Sequence, residues 1–382
     1  MAQTKIKSEL IEGGLGTDWQ STIKTSNFTA ETGKGYFVNT TSGVITITLP
    51  AGVIGEEIVF QDYTGTFATN KIVFSANGSE KIQGATADKQ CETNNSTVRL
   101  IYQDATEGWT ADNISVLSTP LSVYYLVVAG GGSGGSNSNS GAGGAGGYRT
   151  NYGGTALTLS VATNYNVSVG AGAAATTSSP WNGTSGTSST FSTITSTGGG
   201  GGAGQGGSSG TGGSGGGGAY DTNGNSGNAG SYTPVEGYAG GNGQSSGSYP
   251  GGGGGGASES GNTDGAGHGG DGASNSITGS AVVYAGGGSG GVSAGYSVIS
   301  GGDGGGGNGG AGSTAATAGA SNTGGGGGGG AASTAGAAGG SGIVILRYPN
   351  SYTISGLSGA TTTVGSDKVT TFTSGSGNIQ FN

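Results

Sequence analysis

Runs of glycine constrain this chain more than anything else in it. Of 382 residues, 96 are glycine, and most lie between Gly130 and Gly342. Uninterrupted runs such as Gly198 to Gly202, Gly251 to Gly256 and Gly324 to Gly330 alternate there with apolar islands. The islands include Tyr124-Tyr125-Leu126-Val127-Val128, Tyr165-Asn166-Val167-Ser168-Val169, Ala281-Val282-Val283-Tyr284 and Ile343-Val344-Ile345-Leu346. A flexible linker has no reason to keep returning to β-formers, so the pattern predicts a folded glycine-rich domain rather than a Gly/Ser tether.

A glycine run can pack as an extended left-handed threefold helix rising about 3.1 Å per residue, bonded only to its neighbours. Ordering each residue costs about 1–2 kcal/mol, and more for glycine, whereas one backbone hydrogen bond returns about 0.5–1.5 kcal/mol net. Such helices therefore need dense mutual contact and apolar walls, a part the Val, Ile, Leu and Tyr islands can play. Collagen is excluded, because the glycine spacing is irregular and the chain has only 6 prolines.

Charge narrows the function classes. Charged residues make up 8% of the chain and the net charge is -9. Between Gly130 and Gly342 the only lysine or arginine is Arg149, against Asp221, Glu236, Glu259, Asp264, Asp271 and Asp303. No basic stripe exists to neutralise phosphates, so nucleic acid is not an expected partner. Cys91 is alone, which rules out an intrachain disulfide framework. The first ten residues lack an apolar core and do not read as a signal peptide, and no stretch approaches a membrane-spanning helix.

Three regions follow along the chain, and the expected class is all-β. Residues 1–120 carry most of the charge and read as an N-terminal β-sandwich or β-prism-like domain. Its candidate strands lie at Gly35 to Asn39, Val44 to Leu49, Glu57 to Gln61, Lys71 to Phe74 and Val98 to Tyr102, with a tight turn at Asn77-Gly78. Trp109, Phe60, Phe74 and Tyr102 are its expected anchors, and only Ile6 to Leu10 hints at a helical period. Residues 121–349 form a glycine-rich domain of packed polyglycine II helices with short β-strands. Within it, Val128-Ala129-Gly130-Gly131-Gly132-Ser133-Gly134-Gly135 is echoed by Tyr284-Ala285-Gly286-Gly287-Gly288-Ser289-Gly290-Gly291. Residues 350–382 return to Thr and Ser and read as a C-terminal β tail.

The opening Tyr125-Leu126-Val127-Val128-Ala129 into Gly130 to Gly135 resembles that of the glycine-rich domains of bacteriophage tail-fibre proteins. The Asn322-Thr323-Gly324 run and the closing Gly340-Ser341-Gly342-Ile343-Val344-Ile345-Leu346-Arg347-Tyr348-Pro349 resemble them too, in the expected order. The region is similar to tail-fibre tip adhesins of T-even-like phages. That resemblance implies polyglycine helices whose loops contact a host glycan or outer-membrane protein during adsorption. It further implies a homotrimer in the virion, made in the host cytoplasm and released by lysis, with an N-terminal domain held by other virion or tail proteins. Long tyrosine-bearing insertions and a full β domain in front depart from the pattern and leave receptor and position open.

Binding candidates are aromatics stranded among Gly, Ser and Asn: Tyr148, Tyr152, Trp181, Tyr220, Tyr232, Tyr238, Tyr249 and Tyr296. Tyr and Trp offer a flat apolar face and a polar handle, which suits sugars and protein surfaces; the alternative is that they wall the glycine helices off from water. Asn182, Asp221, Asn223 and Glu236 stand near enough in sequence to add hydrogen bonds. Arg149, the lone cation, suits an acid or a ligand carboxylate. No catalytic set is expected: His268 lacks partners, and no carboxylate pair marks a glycosidase cleft. The calcium-like stretches at Asp221 and Asp271 each miss required ligands, so neither a metal nor another cofactor is expected. A purely structural collar, shaft or decoration protein is the rival reading, and it requires buried tyrosines.

Overall fold

The computed structural model describes residues 17–111, 114–116, 121–178, 181–248 and 250–382. The helical hint at Ile6 to Leu10, the leader reading of the first ten residues and Tyr249 lie outside the described residues. Every regular element among the described residues is a strand, so the protein is all-β. The chain divides into two compact units, Met1–Thr119 and Pro120–Asn382.

The first unit holds β1 (Asp18–Trp19), β2 (Phe28–Thr29), β3 (Lys34–Val38), β4 (Ile45–Thr48), β5 (Glu57–Asp62), β6 (Ile72–Ser75), β7 (Lys89–Cys91), β8 (Thr97–Tyr102), β9 (Trp109–Thr110) and β10 (Ser115–Val116). They form two five-stranded sheets, ordered β1-β3-β5-β8-β9 and β10-β7-β6-β4-β2. The chain switches sheet at each of its first six strands, so same-sheet neighbours run parallel. Period-two patterning explains the sandwich: Ile45 and Ile47 are buried while Thr48 faces solvent, and Tyr36, Val38, Ile58, Phe60, Ile72, Phe74, Val98 and Leu100 join them in one core. Phe60 and Phe74 meet at 5.2 Å between ring centroids, and Tyr102 meets Trp109 at 5.4 Å.

The second unit holds β11 (Leu121–Val128), β12 (Tyr148–Thr150), β13 (Leu157–Leu159), β14 (Tyr165–Ser168), β15 (Ser189–Phe191), β16 (Ile194–Ser196), β17 (Ala273–Asn275), β18 (Val282–Tyr284), β19 (Ile343–Pro349), β20 (Ile354–Gly356), β21 (Ala360–Val364), β22 (Asp367–Phe372) and β23 (Ser376–Phe381). One sheet runs β12-β11-β19-β22-β21, with β13 also on β11, and the other runs β16-β15-β14-β23-β20. Leu121, Val123, Tyr125 and Val127 pack with Val344, Leu346, Phe191, Phe372 and Phe381 between the sheets. Leu126 and Val128, on the opposite face, pack with Ile343, Ile345, Ile277 and Tyr284. Burial on both faces is why the Tyr125 to Val128 part of β11 and the Ile343 to Leu346 part of β19 read as unbroken apolar runs rather than alternating ones. Residues after Pro349 supply strands to both sheets: β22 lies against β19, and β23 lies between β14 and β20.

The glycine runs leave this sandwich as extended segments without strand pairing, and their hydrogen bonds repeat every three residues. Ala129, Gly132 and Gly135 donate to Gly147, Gly144 and Gly141; Gly130, Ser133 and Ser136 donate to Thr187, Thr184 and Trp181; Gly131, Gly134 and Asn137 donate to Gly340, Ala337 and Thr334. Carbonyls of the same segment accept from Gly199 and Gly202, from Gly327 and Gly330, and from Ala173. The echo segment repeats the scheme: Gly286, Ser289 and Val292 donate to Gly304, Gly307 and Gly310, while Gly288 and Gly291 donate to Gly143 and Ser140.

Glycine is required here by space more than by backbone conformation. A Cβ at Gly131 would lie 2.0 Å from the Gly325 oxygen, one at Gly143 would lie 2.0 Å from the Gly132 oxygen, and one at Gly326 would lie 2.0 Å from the Gly143 oxygen. Buried serines occupy a few of the positions that admit a side chain, and they complete bonds where segments end. Ser189 Oγ donates to Val128 O and accepts from Gly170 N, both at 2.8 Å. Ser289 Oγ donates to Ile299 O at 2.6 Å and accepts from Gly309 N at 2.7 Å.

Candidate functional site

The hydrogen-bond register gives the glycine array two ends. At one end the segments meet the β-sandwich, where Ala129 bonds Gly147. At the other they turn back at 137–139. Eight residue steps at about 3.1 Å separate the two by about 25 Å. This register sorts the aromatic candidates into two groups that their sequence surroundings do not distinguish.

Trp181 and Tyr220 stand at the turning end, bonded through backbone to Ser136 and Asn139. Tyr296 joins them, because it follows Gly291, which bonds Ser140, and because Asn139 Nδ2 donates to Ser293 Oγ at 2.8 Å. Tyr220 and Tyr296 are 47% and 50% exposed, which separates them from packing residues. Trp181 holds a φ of +64, a left-handed conformation unusual for a bulky side chain. It lines a cavity of about 350 Å³ with Ser136, Asn137, Thr177, Ser333, Thr334 and Ala335. Asn137, Ser138 and Ser333 also have positive φ, so two tight turns border this cavity. The sequence reading missed both turns; the break in glycine at Ser136-Asn137-Ser138-Asn139-Ser140 is the signal that marks the first of them.

Tyr148, Arg149, Tyr152, Tyr232 and Tyr238 stand at the sandwich end. Tyr148 and Arg149 lie in edge strand β12, opposite Val128 and Val127. The Tyr148 hydroxyl accepts from Asn275 Nδ2 at 2.8 Å, and burial raises its pKa. Tyr152 packs edge-on against Tyr124 and accepts from Arg347 Nη1 at 3.2 Å. Arg149 Nη1 donates to Thr195 O at 3.0 Å, and the guanidinium carbon lies 3.9 Å from the centre of the Tyr232 ring. Tyr238 is 40% exposed, and its backbone bonds Gly215 and Gly256.

Two of the expected polar helpers are committed to the fold. Glu236 is fully buried, its Oε2 accepting from Thr197 N at 2.8 Å and its Oε1 from Gly230 N at 3.3 Å. Asn182 Oδ1 accepts from Gly204 N at 2.9 Å. Three carboxylates, of Glu259, Asp264 and Asp271, lie within 4.8 Å of one another, a grouping able to hold a cation that the spacing around Asp271 alone did not bring out. Backbone N–H groups already engage two of them: Asp303 N donates to Asp271 Oδ1 and Asp271 N to Glu259 Oε1. Among the described residues no helix is long and apolar enough to cross a membrane.

Residues 13–115 match the model of the Bacteriophage T4 gp9/10-like protein, N-terminal, family, which spans most of the first unit. No curated protein sequence matches the chain. Residues 106–349 match the Glycine-rich domain model, and the two matches together support a phage tail- or fibre-type protein at home in the virion. With that model covering well over half of its length, the chain belongs to the glycine-rich domain family.

Proposed function

We propose that this is a tail-fibre protein that binds a host surface receptor, a glycan or an outer-membrane protein, through the loops at the turning end of its glycine array. One observation carries the reading: the register gathers Trp181, Tyr220 and Tyr296, from insertions far apart in sequence, at one end of a rigid array. Loops carried on such a scaffold can change without disturbing it. Residues 1–120 would attach to other virion or tail proteins, residues 121–349 would present the loops, and residues 350–382 would close the sheets behind them. The glycine segments are read as polyglycine II helices, supported by the three-residue bond period. Copies joined as a homotrimer would turn weak single contacts into firm attachment, and the role is binding rather than catalysis. The rival structural role expects the aromatics to be buried, which the exposure of Tyr220 and Tyr296 disfavours.

Adsorption competition tests this. Full-length protein should bind a host strain and block phage adsorption, whereas a chain ending near Pro120 should not. Trp181→Ala combined with Tyr220→Ala and Tyr296→Ala should lower binding at least tenfold with unchanged thermal unfolding. Full blocking by the triple variant would refute the assignment to these loops.

A further inference from the structure

A second cavity, of about 250 Å³, lies at the sandwich end, against edge strand β12. Its lining includes Tyr125, Arg149, Thr150, Pro234, Val235 and Ala257. Arg149 is the only lysine or arginine between Gly130 and Gly342, and no carboxylate pairs with it among the described residues. Of its five guanidinium N–H donors, only the one to Thr195 O has a partner among the described residues. The stack on Tyr232 and the bond to Thr195 hold the guanidinium plane in place, so a ligand would meet an ordered fork.

The second polar group is Tyr125. Its side chain belongs to the inter-sheet core, only 8% of the residue is exposed, and it lines this cavity. Its hydroxyl has no hydrogen-bond partner among the described residues. Arg149 pairs with Val127, two residues on from Tyr125 in β11, so the two side chains lie on the same face of the sheet and both line this cavity. Glu236, the buried acid among the described residues of the second unit, is occupied by two backbone N–H groups and is not ion-paired to Arg149. Pro234, Val235, Ala257 and Ala273 supply apolar wall, and Tyr148, Thr150 and Thr233 complete the lining.

An unpaired guanidinium and an unpartnered phenol are both hydrogen-bond donors suited to one carboxylate, and a planar fork takes a carboxylate bidentately. The volume falls below the usual range for drug-sized ligands, about 300–1,000 Å³, and suits a single ring. We propose that this cavity binds a carboxylate-bearing monosaccharide unit, its carboxylate held by Arg149 and Tyr125 and its ring laid against Pro234 and Val235. The site lies at the end of the array opposite the turning loops and does not rest on the receptor reading of those loops.

The test is titration of the full chain with glucuronate, followed by ligand-observed NMR and calorimetry, with glucose and acetate as controls. Glucuronate should bind and weaken as salt rises, glucose should not bind, and acetate should bind at least tenfold more weakly than glucuronate. Tyr125→Phe keeps the ring and its packing and should weaken glucuronate about tenfold, the loss of one hydrogen bond to a charged group. Arg149→Gln should abolish binding. Because Arg149 also bonds Thr195, its result counts only with unchanged thermal unfolding, and Tyr125→Phe decides the matter if that control fails. Absence of glucuronate binding, equal binding of glucose, or an unaffected Tyr125→Phe would overturn the proposal. Acetate binding as tightly as glucuronate would show an anion site only and would overturn the sugar assignment.

Discussion

Gly143→Ala tests the close packing of the glycine array at its centre. Gly143 donates to Gly327 and accepts from Gly288, and a methyl group there would sit 2.0 Å from the Gly132 oxygen. Ordinary contact between a methyl carbon and an oxygen needs about 3.3 Å, so segment 129–137 would have to retreat by more than an ångström. Retreat stretches the bonds from Ala129, Gly132 and Gly135 to Gly147, Gly144 and Gly141. Those bonds, at about 0.5–1.5 kcal/mol each, together with an overpacking cost of about 1–3 kcal/mol, make a loss of about 3–7 kcal/mol. Gly154→Ala is the matched control. A Cβ there meets nothing nearer than the Asn151 oxygen at 3.4 Å, and no left-handed φ opposes it. That change should be neutral or stabilising by up to about 1 kcal/mol through the unfolded chain. Differential scanning calorimetry of the full chain should place the melting of the second unit roughly 10 °C or more lower for Gly143→Ala than for Gly154→Ala. If the two variants melt within about 2 °C of each other, the array is not packed as described and the spatial argument for its glycines fails.

Ser189→Ala would strand the Val128 carbonyl and the Gly170 N–H, both now served by one hydroxyl, and should cost about 1–3 kcal/mol in urea denaturation. Phe381→Ala, in β23, should cost about 3–5 kcal/mol by emptying a site in the inter-sheet core, measurable by the same denaturation. Burial raises the pKa of Tyr125, Tyr148, Tyr284 and Tyr348 above the ordinary 10.0. The unfolded chain releases these protons first as pH rises, so the second unit should keep its full tyrosine-linked stability below about pH 10 and lose it progressively above. Tyrosinate absorbance should then rise together with unfolding; free titration of all four in the native state would contradict their burial.

Local patterning made much of the architecture legible. In the first unit, strict alternation in stretches such as Ile45-Thr46-Ile47-Thr48 marks both the strands and their buried face, because side-chain period two leaves no other way to hide the isoleucines. The continuous runs Tyr125 to Val128 in β11 and Ile343 to Leu346 in β19 likewise announce strand segments covered on both faces. Glycine runs broken by apolar islands imply an ordered array, since nothing else in the region could offset the entropy of ordering so much glycine.

Position within the array was another matter. Tyr148, Trp181, Tyr220, Tyr232 and Tyr296 all sit in Gly, Ser and Asn surroundings, so no local signal tells a packed aromatic from a presented one. The three-residue bonding register, which joins segments as distant as 137 and 334, sends Trp181, Tyr220 and Tyr296 to the turning end, while pairing of β12 with β11 and the stack on Arg149 hold Tyr148 and Tyr232 at the sandwich. Tyr125 reads in sequence as one more β-former; strand pairing of β12 with β11 sets Arg149 on the same sheet face and in the same cavity lining. Which sheets the strands after Pro349 complete was also decided in three dimensions, by pairing with β19 and β14. Short-range pattern determines what each segment can become, because it depends on neighbouring side chains along the chain. Which segments meet depends on long-range hydrogen bonds and shared cores, and only the folded chain brings those together.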